Sequence, residues 1–153
     1  MNKSIKTEIV INSSPEEVWR ILTDFKDYPK WNPFIISIEG ELIPGTRLIN
    51  TMRNGEKTFR FKPTVLRVVP YQYFDWEGHL FLNGIFDGHH YFEIEVLNEQ
   101  QVKLNHGEYF SGILSRFILK KIANSTRENF IQMNMAIKQL AECSPLKCNR
   151  HHK

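Results

Sequence analysis

Three side chains able to exchange protons near neutral pH lie within nineteen positions of one another: His90, His106 and Glu108. An imidazole titrates at about pH 6.5 and can give or take a proton, and a glutamic acid walled in by apolar groups can act beside it as an acid. With Tyr91 or Tyr109 nearby, such a set has the chemistry to remove a proton next to a carbonyl and to protonate a departing hydroxyl. The same groups can instead hydrogen-bond a hydroxyl or carboxyl of a bound molecule. The residue types therefore permit catalysis without requiring it. His90 also fits a core histidine bonded to backbone, and His106 and Glu108 lie near a strand end, where exposure is common.

More committed catalytic patterns are missing from the chain. It holds no Gly-x-Ser-x-Gly elbow, no phosphate-cradling glycine loop and no His-Glu-x-x-His pair. Cys143 and Cys148 fall outside the expected core and make poor nucleophiles. Their spacing with His151 and His152 suits zinc badly, in a segment that reads as a terminal tail. No metal and no cofactor is expected.

Strand alternation says which side chains share a face with the ionisable set. Phe92, Ile94 and Val96 fall on the face of His90. Val102, Leu104 and Phe110 fall on that of His106 and Glu108. Phe74, Trp76 and Leu80 form a third row with Gly78 among them, and Phe59 and Phe61 a fourth. Beyond Pro63 the register is open, because a bulge there would turn every later side chain over. A mostly aromatic surface with a few placed polar groups is what a ligand pocket requires.

The elements that must carry these rows are legible in the chain. Residues 5–11 alternate as a strand; Ser13 or Ser14 then caps a helix with Pro15 at its first position, and Ser14 with Glu17 fits a capping box. Asp24 is placed to cap a second, shorter helix ending near Pro29, and Pro33 pushes Asn32 into an extended conformation. Strands are expected near 34–40, 46–53, 56–69, 71–80, 88–97 and 101–110, with Asn54-Gly55 as a two-residue hairpin loop and Pro63 as a bulge or edge. After Gly112 the period turns helical for about seven turns, ending before Pro145. On that helix Ser125, Asn129 and Gln132 share one side by spacing and, with Ile118, Ile122 and Met133, form a stripe that faces the sheet or flanks it. Trp19, Tyr28 and Trp31 pack the short helices on the sheet or line a pocket mouth.

The order of elements predicts an α+β domain over residues 1–142: a curved, seven-stranded antiparallel sheet around a long C-terminal helix, with two short helices after the first strand. Residues 143–153 are expected to be a flexible tail. At 153 residues the chain can bury roughly 70% of its unfolded surface. Its net charge of +3 comes partly from Lys147, Arg150 and Lys153 in the tail, so no nucleic-acid footprint is expected. The absence of an apolar leader, of a spanning run and of an export context points to a cytoplasmic protein without stable membrane insertion. Oligomeric state stays open, and no large exposed apolar patch is evident.

Ordered motifs across residues 4–141 resemble one superfamily. They are Ser14-Pro15-Glu16-Glu17-Val18-Trp19, Leu22-Thr23-Asp24-Phe25, Tyr28-Pro29-Lys30-Trp31-Asn32-Pro33-Phe34, Phe86-Asp87-Gly88-His89-His90-Tyr91-Phe92, His106-Gly107-Glu108-Tyr109-Phe110-Ser111-Gly112 and the late helix segment Phe130 to Lys138. In their order they resemble the START/Bet v 1-like (SRPBCC) superfamily, and its polyketide cyclase/dehydrase-type branch in particular. The resemblance implies a helix-grip fold with an internal cavity between sheet and helix. It also implies an apolar ligand class such as a lipid, fatty acid, quinone or polyketide.

The expected function is thus binding of a small or medium hydrophobic molecule. The expected site comprises Phe59, Phe61, Phe74, Trp76, His90, Phe92, Leu104, His106, Glu108, Ile122, Ser125, Asn129 and Met133. The alternatives are a cyclase or dehydratase working through His90, His106 and Glu108, and a protein-interaction module, which some superfamily members are.

Overall fold

The computed structural model describes residues 3–80 and 82–143. Strand β1 (Ser4–Ile11) buries Ile5 and Ile11 and leads into helix α1 (Pro15–Thr23). Ser14 caps α1 as its type dictates, its hydroxyl accepting from the Glu17 amide at 3.2 Å. The Glu17 carboxylate is taken by Arg20, at 2.7 and 3.0 Å. Val18, Ile21 and Leu22 face the core.

The expected Asp24 cap does not form. The Asp24 side chain makes no capping bond, its amide closes onto the Arg20 carbonyl at 3.0 Å, and Phe25–Asp27 is a single 3-10 turn before α2 (Tyr28–Trp31). A second cap has no room where the chain is still finishing the first helix. Asn32 then does the work of the Trp-Asn-Pro-Phe motif. Its side-chain oxygen accepts from the amides of Phe34 and Ile35, both at 2.9 Å, and so starts the next strand. Tyr28 is buried with its hydroxyl on the Leu22 carbonyl at 2.6 Å, and Trp31 packs edge-on against it.

The described residues form eight strands rather than the expected seven. Strands β2 (Ile35–Glu39), β3 (Ile49–Asn54) and β4 (Lys57–Phe61) form one antiparallel sheet. Strands β5 (Thr64–Val69), β6 (Tyr73–Leu80), β7 (Phe86–Asn98) and β8 (Gln101–Ser111) join β1 in another, in the order β1-β8-β7-β6-β5. The extra strand comes from Pro63, which splits the expected 56–69 run because proline has no amide for the ladder. Backbone bonds from Leu48 to the Pro63 carbonyl and between Thr46 and Val65 tie the two sheets into one curved wall. The hairpin loop of β3 and β4 is Gly55-Glu56, one position later than expected, since Asn54 pairs with Lys57.

Helix α3 (Ser115–Glu142) lies across the concave side. Its second half buries Phe130, Met133, Ile137 and Ala141 against the five-stranded sheet. It also guards the open edge of β1: Arg127 donates to the Lys6 carbonyl at 3.0 Å and Lys138 to the Val10 carbonyl at 2.8 Å. Two sequence expectations change at the periphery. Val96 is exposed at the hairpin end rather than inward. Leu82, Ile113, Leu114 and Phe117 are exposed around the corner where the β6–β7 loop bonds to the start of α3, an apolar cluster that spacing alone did not reveal. Among the described residues no helix is long and apolar enough to cross a membrane. The tail from residue 144, with Cys148, His151 and His152, lies outside the described residues.

Candidate functional site

A cavity of about 300 Å³ opens between the two sheets and the first half of α3. Its cause is local sequence. On the sheet, Gly78 and Gly88 sit directly opposite each other, so two inward side chains are missing side by side. Above them the helix presents Ile118, Ile122, Thr126 and Asn129, where its second half presents Phe130 and Met133. Neither surface can fill the gap. The walls are Trp76, Phe86, Phe110, Phe34, Met52 and Phe61, and exposed Asn54, Phe59 and Arg60 border the mouth.

Of the residues nominated from sequence, Phe59, Phe61, Trp76, Glu108, Ile122 and Asn129 line this cavity. Phe74, Phe92, Leu104 and Met133 sit beside it in the packed core. Ser125 is exposed with its hydroxyl on the Ile122 carbonyl at 3.0 Å, and Gln132 is exposed and bonded to Glu128. The sheet-facing stripe runs one position later, through Thr126 and Asn129 to Met133. Tyr91 and Tyr109 stack on the outer face of the sheet, 5.5 Å apart, away from His90 and Glu108. Sequence reasoning did not nominate the wall supplied by β3 and its neighbours, namely Phe34, Asn50, Met52 and Asn54. Alternation assigns a face within one sheet, but not which strands of a second sheet fold over it. The two glycines inside strands were the available signal.

His90 and His106 lie fully buried behind the cavity wall, as links in a hydrogen-bond chain whose direction is determined. The Thr7 hydroxyl sits 2.7 Å from the His106 carbonyl oxygen, so its one proton points there. Thr7 must therefore accept from Asn134, whose side-chain nitrogen is 2.9 Å away. That places the Asn134 oxygen toward His106 Nδ1 at 2.8 Å, and Nδ1 carries the proton. His106 is neutral, because burial and the neighbouring His90 push its pKa well below 6.5, even though the Asn134 bond opposes the shift. Its Nε2 is then a bare acceptor, and His90 Nε2 donates to it across 2.9 Å. His90 Nδ1 is left as a lone pair with no hydrogen-bond partner among the described residues.

The group facing that lone pair is the Glu108 carboxyl, with Oε2 at 3.6 Å. This is not an ion pair. Burial pushes His90 down to about 3 and pushes Glu108 up to about 8, with His89 behind the strand opposing the Glu108 shift. At neutral pH both groups are uncharged, and the carboxylic proton belongs on the oxygen nearest His90. The other oxygen, Oε1, lies over Gly88, where any Cβ would collide with it. Gly88 thus leaves the room in which the acid sits.

Asn50 supplies a second polar group. It is fully buried and turned inward with Met52 on β3, and neither atom of its amide has a partner among the described residues. A buried amide left unpaired costs free energy. Asn50→Leu is expected to stabilise the empty protein by about 1 kcal/mol, read as a raised urea midpoint with unchanged slope.

The match to known proteins agrees with this architecture. An aromatase/cyclase from a Streptomyces species superposes with a TM-score of 0.72 at 13% identity, covering 91% of this chain and 93% of that one. A START superfamily protein from Mycobacterium smegmatis gives 0.68 at 18%, covering 90% and 98%. Norcoclaurine synthase from Thalictrum flavum, in complex with dopamine and hydroxybenzaldehyde, gives 0.68 at 16%, covering 100% and 90%. At such identities the likeness is one of fold. A comparison with curated proteins returns no significant match. The model of one family, polyketide cyclase / dehydrase and lipid transport, matches residues 3–139, and the chain belongs to that family.

Proposed function

We propose that the protein binds a small or medium hydrophobic molecule in the cavity between its sheets and α3. The observation that carries this reading is an aromatic-walled cavity of about 300 Å³ with a few inward polar groups, Glu108 and Asn50 among them. That volume is at the lower end for ligand pockets, which suits a compact molecule better than a long-chain lipid. Asn50 supports the reading, since a buried amide on the cavity wall with no partner among the described residues is placed to hydrogen-bond a guest. The family description and the bound small molecules of the norcoclaurine synthase neighbour point the same way.

Native mass spectrometry and solvent extraction of the purified protein test the proposal. A bound apolar molecule, or displacement of a fluorescent apolar dye, is expected for wild type. Ile122→Trp, which places an indole into the gap from the helix side, is expected to lower dye affinity by tenfold or more with the fold retained by circular dichroism. Equal dye binding by both proteins would remove the cavity from consideration.

A cyclase or dehydratase reading has one specific observation in its favour. Glu108 lines the cavity and keeps its proton at neutral pH, the state required of an acid that protonates a leaving hydroxyl. On that reading Glu108→Gln abolishes turnover of a supplied polyketide-type substrate while leaving its affinity intact.

A further inference from the structure

We infer that the cavity is built for a neutral apolar molecule bearing a hydroxyl group, and that it discriminates against the carboxylate of the same body. The inference rests on the binding reading above and specifies its ligand. It comes from the direction of the chain behind the wall, which leaves Glu108 only one way to face a guest.

Each step of that chain as far as His90 is forced by the one before it. Thr7 gives its only proton to the His106 carbonyl, Asn134 gives an N–H to Thr7, and His106 gives its Nδ1 proton to Asn134. His90 gives its Nε2 proton to His106 and turns a lone pair toward Glu108 Oε2. A carboxylic acid beside a lone pair orients its O–H toward it. The oxygen that remains, Oε1 above Gly88 on the cavity floor, is a carbonyl-type acceptor. A guest meets an acceptor at Glu108, so it must bring a donor.

Asn50 adds the second half of the recognition. Its amide offers N–H donors and a carbonyl acceptor, none of them partnered among the described residues. A hydroxyl finds a partner at either residue, because it donates and accepts. A carboxylate finds a partner only at the amide nitrogen, and against Glu108 it sets lone pair against lone pair in a low-dielectric site. The charged group bordering the cavity is Arg60, exposed at the mouth, where an anion would remain solvated. Burial, the cause that keeps Glu108 protonated, would likewise penalise an anionic guest deeper in.

Naphthalene, 2-naphthol and 2-naphthoate share one body and test this directly by competition against a fluorescent dye at pH 6.5. The expected order places 2-naphthol about fivefold to tenfold tighter than naphthalene, the worth of one net hydrogen bond, with 2-naphthoate no tighter than naphthalene. In Glu108→Leu the naphthol advantage should shrink to what Asn50 alone provides, while naphthalene still binds. In Glu108→Gln it should persist, because His90 takes the amide N–H and again leaves an oxygen for the guest. Loss of the advantage in Gln as complete as in Leu would overturn the directional chain. Tighter binding of 2-naphthoate, abolished by Arg60→Ala, would overturn the inference in favour of an anion read at the mouth. Failure of all three probes, naphthalene included, would instead defeat the binding reading itself.

Discussion

Replacing Glu108 with glutamine is expected to leave stability near wild type at pH 5 and to raise it at pH 8, the gap widening by about 3 kcal/mol between the two. The unfolded chain ionises Glu108 near its ordinary 4.5, whereas the folded chain holds the proton up to about 8. Between those values the folded state carries the extra proton, so stability falls as pH rises. Below 4.5 both states are protonated and the contribution is flat. Above 8 both are ionised and the full cost of the buried carboxylate stands. Glutamine has no proton to lose and removes the slope.

The histidines act in the opposite direction. Burial holds His90 near 3 and His106 well below 6.5, so under acid the unfolded chain takes up protons that the folded one refuses. At pH 6.5 two half-protonated imidazoles of the unfolded chain hold about one proton, which matches the one held by Glu108 in the folded chain. The combined contribution of the three groups therefore peaks near pH 6.5. Urea midpoints from pH 5 to 9 check this. A wild-type curve that rises between pH 6.5 and 8 would mean that Glu108 is already ionised in the folded state.

His106→Ala is expected to cost about 3–5 kcal/mol. The ring lies fully buried, stacked on Phe130 at 4.3 Å and on Phe92 at 4.4 Å. Truncation opens a void between them and also strands the Asn134 oxygen and the His90 Nε2 proton. The polar share of that loss can be separated from the packing share. His106→Phe alone keeps the volume but leaves the Asn134 oxygen unpaired, and Asn134→Leu alone leaves the His106 proton unpaired. The double substitution removes both partners and should cost less than the sum of the single changes by about 1–2 kcal/mol. Strict additivity in unfolding free energies would show that the contact contributes nothing beyond shape.

Much of the fold was readable because its signals are local. Ser14-Pro15 starts a helix since a hydroxyl and a missing amide suit that end of it. The rows Phe74-Trp76 and Phe92-Ile94 point inward because a strand alternates. Pro63 splits a strand for want of an N–H, a break visible in the sequence though read there as a bulge or an edge. The Ser125 side of α3 was harder. A stripe predicted by spacing can rotate by one position without violating any sequence pattern, and only packing against β1 and β8 selects Thr126 and Asn129.

His90, His106 and Glu108 show the same division. Their residue types and shared face could be read from alternation, and so could their capacity for acid–base or hydrogen-bonding roles. Their protonation states could not. Those depend on Thr7 and Asn134, 127 residues apart in the chain, meeting at one hydroxyl, and on the depth of burial that discharges both rings. Likewise the sequence by itself determined that an aromatic concave face would exist and that a long helix would cover it. Only the tertiary structure decided where that face stays empty, because a void is a property of two surfaces at once. Gly78 and Gly88 send no side chain into it from the sheet, the thin half of α3 lies above them, and β3 closes the side with Asn50. Local preferences act along the chain. A cavity, and the charge state of the groups around it, arise from what remote segments leave between them.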